Sequence, residues 1–364
     1  MDLIYWLLLL KAPKLGMRTF YKTLQVFETP EQVFSASKSA RKECGLFKSE
    51  TLEFLAKCDK TTVRPDLDWA KSEDCNILTL ADEDYPEQLK TTSEPPPLLY
   101  VRGDVKCLSK PQLAIVGSRN PSASGEKHAY EFAQDLAKIG LLITSGMASG
   151  IDAKAHLGAL EAGQATIAVC GTGLDRVYPA RHKSLAHQIS TQGALVSEFA
   201  IGTAPLANNF PRRNRVISGL SLGTLVVEAS VKSGTMITAK LAAEQGREVF
   251  AIPSSIHNPL AAGCHQLIKD GAKLVENIDD ITNELAFEFQ AAAGKNIDTK
   301  DTKDTKELDK NHLILLKCLG YEPLSIDGLV EKSGLSPQIV MQKLLELELE
   351  NQVAKDGSGY LLTK

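Results

Sequence analysis

The chain contains no Cys-x-x-Cys pair, and its seven cysteines, at 44, 58, 75, 107, 170, 264 and 318, stand far apart. That spacing argues against a zinc site or a disulfide framework and fits a reducing cytoplasm. It also lacks a long apolar run. The opening Leu3–Leu10 segment is too short to span a bilayer, and it has neither a basic leader nor a small-residue cleavage site. A buried first helix is expected instead. There is no G-x-x-x-x-G-K-[ST] loop, so ATP hydrolysis of that type has no support, and no G-x-G-x-x-G fingerprint. Ser145, Ser197 and Ser218 lack the G-x-S-x-G elbow. An excess of positive charge is missing too: 41 Lys and Arg face 45 Asp and Glu, a formal net charge of −4. This total announces no nucleic-acid partner, yet a local basic groove can sit inside it.

At 364 residues, two or three domains and a large core are expected. The organising stretch runs from Leu113 to Ser254. Leu113–Val116 is followed by Gly117-Ser118-Arg119, and Leu141–Thr144 by Ser145-Gly146-Met147-Ala148-Ser149-Gly150. Each pairs a short apolar run with small residues where a phosphate can approach the backbone. Further strands fit Thr166–Cys170, Ala194–Ser197, Thr224–Glu228 and Glu248–Ala251. Helices fit Glu126–Ile139, Ile151–Ala162, Arg181–Gln192 and Met236–Gln245. Such alternation predicts an α/β, doubly wound, Rossmann-like parallel sheet, with ligands at the carboxyl ends of its strands.

The flanks differ. Residues 1–75 read as helical, broken by Pro13, Gly16 and Pro30. Lys11–Arg18 resembles a helix-hairpin-helix turn, with Gly16 present and Lys14 where the first glycine of that motif would stand. It is either a DNA-contacting hairpin or a plain packing turn. Residues 76–290 form the sheet domain, entered through strands at Asn76–Leu80 and Leu98–Val101 and ending on a short strand near Gly271–Val275. Residues 291–311 hold Asp-Thr-Lys repeated from Asp298 to Lys306 and read as a flexible linker. Residues 312–364 outline a winged helix-turn-helix. Glu346, Glu348 and Glu350 on its presumed recognition helix disfavour direct DNA reading there.

The densest positive cluster is Phe210-Pro211-Arg212-Arg213-Asn214-Arg215. Three arginines in four positions can grip successive phosphates, and Phe210 offers a surface for base stacking. The plainer reading is a solvated basic loop over a core phenylalanine. Arg119 and Lys240, expected on the same sheet edge, favour a groove. Asp152 and His156 lie four apart on one helix face. A helix-capping Asp and a packed His explain them better than an acid–base pair or metal ligands. No catalytic constellation and no metal site emerges.

Taken together, Arg119, Ser145–Asp152, Gly171-Thr172-Gly173-Leu174-Asp175, Tyr178-Pro179, Ser197-Glu198-Phe199, Phe210–Arg215 and Ser233–Ala239 resemble the DNA-processing protein A (DprA/Smf) family. The resemblance is dense over 77–285 and looser over both flanks, where it implies a SAM or helix-hairpin-helix-like domain and a winged-helix domain. It implies an extended Rossmann fold and no cofactor. Its further implication is a cytoplasmic, non-enzymatic homodimer that binds and protects single-stranded DNA and loads the RecA recombinase in natural transformation, with single-strand-binding protein as a further partner. The family's DNA pocket falls here on Gly117, Ser118, Arg119, Gly146, Phe210, Arg212, Arg213, Asn214, Arg215 and Lys240. Its dimer surface falls near Gly263–Ala272, on Leu267 and Ile268. Ser149, Ser254 and His265 depart from the family pattern, where arginine, glycine and asparagine are usual. A rival class, Rossmann-type nucleotide phosphoribohydrolases, carries Gly-Gly-x-Gly-Thr-x-x-Glu. Here Glu228 stands one position too late after Gly223-Thr224, and the Gly-Gly is absent.

Overall fold

The computed structural model describes residues 2–285, 315, 318–319, 324–349, 353–356 and 359–362. The chain forms two compact units, Met1–Ile297 and Asp298–Lys364.

The first unit opens with six helices: α1 (Leu3–Lys11), α2 (Met17–Phe27), α3 (Pro30–Ser35), α4 (Lys38–Glu43), α5 (Ser49–Lys57) and α6 (Arg64–Trp69). Side-chain caps start three of them, from Asp2, Thr29 and Ser37, each satisfying a backbone amide that has no partner inside the helix. Their apolar residues do not close on themselves. Trp6, Leu7, Phe20, Val33 and Leu55 share one cluster with Leu98, Tyr100, Ala168 and Leu195 of the sheet. Asp66 pins this junction. Its fully buried carboxylate accepts from Lys11 Nζ (2.6 Å), Tyr100 Oη (2.9 Å) and the Ile201 amide (3.0 Å).

A short turn joins α1 to α2. Lys14 takes φ +59°, the left-handed region that favours glycine, and Gly16 precedes α2 without a side-chain cap.

The sheet has nine strands: β1 (Cys75–Thr79), β2 (Leu98–Gly103), β3 (Gln112–Val116), β4 (Leu142–Gly146), β5 (Thr166–Val169), β6 (Ala194–Ser197), β7 (Gly223–Val226), β8 (Glu248–Ala251) and β9 (Lys273–Leu274). Their order is β1-β2-β6-β5-β4-β3-β7-β8-β9. The β1–β2 and β2–β6 pairs are antiparallel and the others parallel. Strand β3 alternates Leu113 and Ile115 toward one face, Ala114 and Val116 toward the other. Helices α8 (Ala123–Lys138) and α9 (Ile151–Glu161) cover the first face. Helices α11 (Asn209–Leu220), α12 (Gly234–Glu244) and α13 (Ala262–Lys269) cover the second. A short helix α7 (Glu87–Lys90) packs against α11, and α10 (Lys183–Gln192) packs beside β6.

Element boundaries differ from the sequence reading in instructive places. The helix expected at Glu126 begins at Ala123, because the Ser122 side chain caps it through the Gly125 amide. The basic stretch 210–215, for which the sequence predicts no helix, lies on α11. Pro211 is tolerated there because it sits in the first turn, where amides lack intrahelical acceptors.

In the second unit, α14 (Ile326–Ser333) starts on a Ser325 cap and ends on left-handed Gly334. Helix α15 (Pro337–Leu349) and an antiparallel hairpin of β10 (Val353–Asp356) and β11 (Gly359–Leu362) complete it around Leu315, Leu329, Val340, Leu344 and Val353. The linker expected at 291–311 and most of the helix expected at His312–Gly320 lie outside the described residues. Among the described residues, no helix is long and apolar enough to cross a membrane.

Candidate nucleic-acid interface

Strand order reverses between β3 and β7, so a crevice opens beyond their carboxyl ends. A cavity of about 690 Å³ occupies it. The loop after β3 contributes Gly117, Ser118 and Arg119. Helix α11 contributes Phe210, Arg213 and Asn214, and the start of α12 contributes Ser233, Gly234 and Thr235. The Ser118 amide donates to the Glu228 carbonyl (2.8 Å), the Thr235 hydroxyl to the Gly117 carbonyl (3.0 Å) and Asn214 Nδ2 to the Gly234 carbonyl (3.3 Å), which ties the three segments together. Helix α12 begins without a side-chain cap, so its first amides add partial positive charge to the cavity edge. A smaller cavity of about 270 Å³ adjoins it, lined by Arg119, Tyr178, Arg181, Phe210 and Arg213.

The three arginines of α11 do three different things, because a helix turns each about 100° from the next. Arg213 is 5% exposed. It donates to the Val169 carbonyl and, through Nε, to Asn214 Oδ1 (3.1 Å). Arg215 is largely buried, pairing with Glu198 Oε2 (2.5 Å) and the Glu94 carbonyl. Arg212 is half exposed. It reaches the same Glu198 oxygen (3.2 Å) and lies 5.1 Å over the Phe199 ring. Lys240 is exposed on α12, 3.7 Å from Glu244, and does not line the cavity.

Gly146 is where β4 passes the arginine: a Cβ there would stand 2.3 Å from Arg213 Nη1 and 2.5 Å from Asp152 Oδ2. Phe210 has company on its ring. The Arg119 guanidinium sits 5.6 Å from its centroid, and the Tyr178 ring 5.7 Å away at 44°. Tyr178 is about half exposed and was not among the expected DNA contacts. Leu267 and Ile268 on α13 are half-buried and pack partly against the core.

Burial pushes the Asp152 carboxyl above its ordinary range, and the neighbouring Arg213 pulls it back. The same burial lowers Arg213. Asp152 accepts from the Ala148 amide (3.3 Å), inside the first turn of α9 rather than as its cap residue, which is Gly150. His156 is fully buried, and desolvation pushes it down to about 4. Its Nε2–H donates to the Gly146 carbonyl (2.8 Å), and Nδ1 lies 2.8 Å from the Thr166 hydroxyl. It packs, as its position on the helix face suggested. Ser145 and Ser197 donate to the Ile115 and Thr172 carbonyls, and Ser218 to the Asn214 carbonyl.

The departures from the family pattern find partners. Arg181 donates to Ser149 Oγ, bringing a guanidinium to the loop position where arginine is usual. His265 Nε2 donates to the Ser254 carbonyl (2.9 Å), so two departures meet each other.

A doubly wound sheet with an arginine-bordered crevice at its switch point defines a Rossmann-like protein of the kind that takes its ligand at the carboxyl ends of the strands. Family comparison narrows this. Residues 76–286 match the DNA recombination-mediator protein A model, and residues 299–359 match the DprA winged helix domain. Protein Smf of Escherichia coli is 41% identical over 320 residues, covering 88% of this chain and 85% of that protein. The X-ray structure of DNA processing protein A from Streptococcus pneumoniae superposes with a TM-score of 0.70 at 36% identity, over 77% of this chain and 97% of that one. A structure of DNA processing protein A from Helicobacter pylori, described for its single-stranded DNA binding mode, superposes with a TM-score of 0.53 at 31% identity. It covers 58% of this chain and 97% of that chain. The chain belongs to the DNA recombination-mediator protein A (DprA/Smf) family.

Proposed function

We propose that this chain binds single-stranded DNA in the crevice beyond β3 and β7, without catalysis, and hands the strand to RecA. The observation that carries the reading is the convergence of the Gly117–Arg119 loop, Phe210 and the α12 amino terminus on one cavity bordered by arginines. Loop amides and arginines hold phosphates, and Phe210 with Tyr178 receives bases. Little sequence preference follows, because phosphates are uniform and stacking tolerates every base. The single-stranded DNA binding mode described for the Helicobacter pylori relative supports it. In this reading the protein works in the cytoplasm as a homodimer joined through Leu267 and Ile268. It relieves the barrier posed by single-strand-binding protein and shields the strand until RecA polymerises.

The test is fluorescence anisotropy with a labelled oligothymidine, followed by RecA filament assembly on DNA precoated with single-strand-binding protein. Binding that persists when Arg119, Phe210 and Arg212 are all replaced by alanine refutes the groove. Unchanged RecA assembly rates refute the hand-over. A nucleotide hydrolase would need Glu228 as a free carboxylate, and here it has donors on both oxygens.

A further inference from the structure

Glu228 is the buried carboxylate that the proposed DNA contacts leave without a role. It is 3% exposed and lies two residues past the end of β7. Three donors converge on it: the Ser122 amide on Oε2 (2.9 Å), the Ser122 hydroxyl on Oε1 (2.5 Å) and Asn258 Nδ2 on Oε1 (3.2 Å). Its own carbonyl accepts from the Ser118 amide (2.8 Å). One residue therefore holds both ends of the loop that carries Arg119, through Ser118 at the start and Ser122 at the finish.

The hold extends outward on both sides. Ser122 Oγ, fixed by donating to Glu228, accepts from the Gly125 amide (3.0 Å) and caps α8. Gly125 leaves room for the carboxylate: a Cβ there would stand 2.5 Å from it. Asn258 brings in the segment after β8, its Oδ1 accepting from the Leu260 amide (2.9 Å) while the Ala229 amide donates to the Leu260 carbonyl (2.7 Å). Burying a carboxylate is costly unless donors meet it, and here the donors are the loop itself. Losing the carboxylate leaves a part-buried amide, hydroxyl and side-chain amide without their shared acceptor, so the loop would have to reorganise.

We propose that Glu228 is a positioning residue for DNA binding: its carboxylate sets the 118–122 loop so that Ser118 and Arg119 face the strand. The inference rests on the single-stranded DNA reading and adds to it a residue that never touches the ligand. In this account Arg119 contributes only while Glu228 holds its loop.

The experiment compares Glu228→Ala, Glu228→Gln, Arg119→Ala and the Glu228→Ala/Arg119→Ala double variant in the full chain, using anisotropy on labelled oligothymidine across a salt series. Glu228→Ala is expected to weaken binding about tenfold and to flatten the log–log salt slope by about 0.7, the share of one phosphate on a single strand. Adding Arg119→Ala to it should cost little more, whereas Arg212→Ala should still cost its full amount, because only coupled sites lose additivity. Glu228→Gln keeps one acceptor oxygen but sets an NH2 against the donors on the other side, so it should restore part of the affinity. Hydrogen exchange at the 118–122 amides should rise in Glu228→Ala and rise less in Glu228→Gln. Full additivity with Arg119→Ala, or an unchanged salt slope, overturns the proposal. If Glu228→Ala does not fold, Ser122→Ala removes one leg of the clamp and must show the same coupling to Arg119. If wild type itself binds no oligonucleotide, the DNA reading has failed. The exchange measurement then decides separately whether Glu228 orders the loop, and an unmoved 118–122 segment sinks that claim.

Discussion

Replacing each arginine of α11 in turn should give three different phenotypes, although the sequence presents them as one cluster. Arg213 is the informative case. It is 5% exposed, its guanidinium donates to the Val169 carbonyl, and it is the main charge offsetting buried Asp152. Arg213→Ala strands that carboxylate and opens a cavity under the crevice. No ion-pair contact joins the two groups, so the cost comes from the lost packing and the lost charged hydrogen bonds of Arg213, about 3–5 kcal/mol together. For a unit of this size each kcal/mol moves the melting temperature by roughly 2 °C, so a drop of about 6–10 °C is expected. Asp152→Asn should recover part of the loss in the double variant, since it removes the stranded charge. Arg212→Ala, at a half-exposed position, should leave the melting temperature within about 1 °C and act on DNA affinity. Arg215→Ala should fall between, because it abandons Glu198 but leaves Arg212 to share it. Differential scanning fluorimetry and oligonucleotide anisotropy on the same samples separate the effects. An Arg213→Ala protein that melts like wild type yet binds DNA with a flatter salt slope would refute the reasoning, since Arg213 would then be reaching the strand directly.

Three further outcomes follow from the geometry. His156 is held near 4 against an ordinary 6.5, so between those values the unfolded chain takes up a proton that the folded ring refuses. Stability present above pH 6.5 is therefore lost as pH falls toward 4, by up to about 3 kcal/mol. His156→Gln should flatten that limb in urea titrations, and an unchanged pH dependence would show that other groups carry it. Lys14→Gly relieves a left-handed backbone and should raise stability by up to about 1 kcal/mol; a fall in the denaturation midpoint would contradict the strain. Asp66→Ala removes the shared acceptor of Lys11, Tyr100 and the Ile201 amide and should cost about 3–5 kcal/mol. Limited proteolysis should then cut within residues 1–70 before the sheet, and resistance there would count against Asp66 as the junction's anchor.

The sheet was legible because its strands are short apolar runs punctuated by glycine. Ala194–Ser197 and Glu248–Ala251 fall where the pattern put them. Loop convergence was legible for the same reason: loops after parallel strands share an edge whatever their sequence. The arginines were less legible. Reading 210–215 as one basic cluster credits every arginine to the DNA strand, whereas α11 sends Arg213 inward and both Arg212 and Arg215 to Glu198. The missing signal lay in Arg213 standing three and four residues ahead of Val216 and Ile217 on the buried side of the helix, and in an acidic Glu198 too distant in sequence to be matched with Arg212 and Arg215. Tyr178 was visible only as part of a motif. Its nearness to Phe210 depends on how the segment after β5 folds back, which periodicity does not encode. The N-terminal helices read as a domain of their own, yet their apolar stripes are completed by sheet residues such as Leu98 and Leu195.

This distribution of charge also bears on how DNA would be held. Arg212 and Arg215 share one Glu198 oxygen, Arg213 faces Asp152, and Lys240 has Glu244 beside it. Of the cations first assigned to the pocket, Arg119 has an aromatic ring as its close neighbour in place of an ion pair. A phosphate arriving at Arg212 must therefore compete with Glu198 rather than with water, and the exchange releases fewer counterions than a bare guanidinium would. The salt slope should accordingly fall below the value of about 3.5 that five fully neutralised phosphates would give on single strands. Glu198→Gln should steepen it while tightening binding. A wild-type slope at or above the five-phosphate value would mean that the ion pairs open completely in the complex, and that the DNA-free arrangement of α11 is not the one that holds the strand.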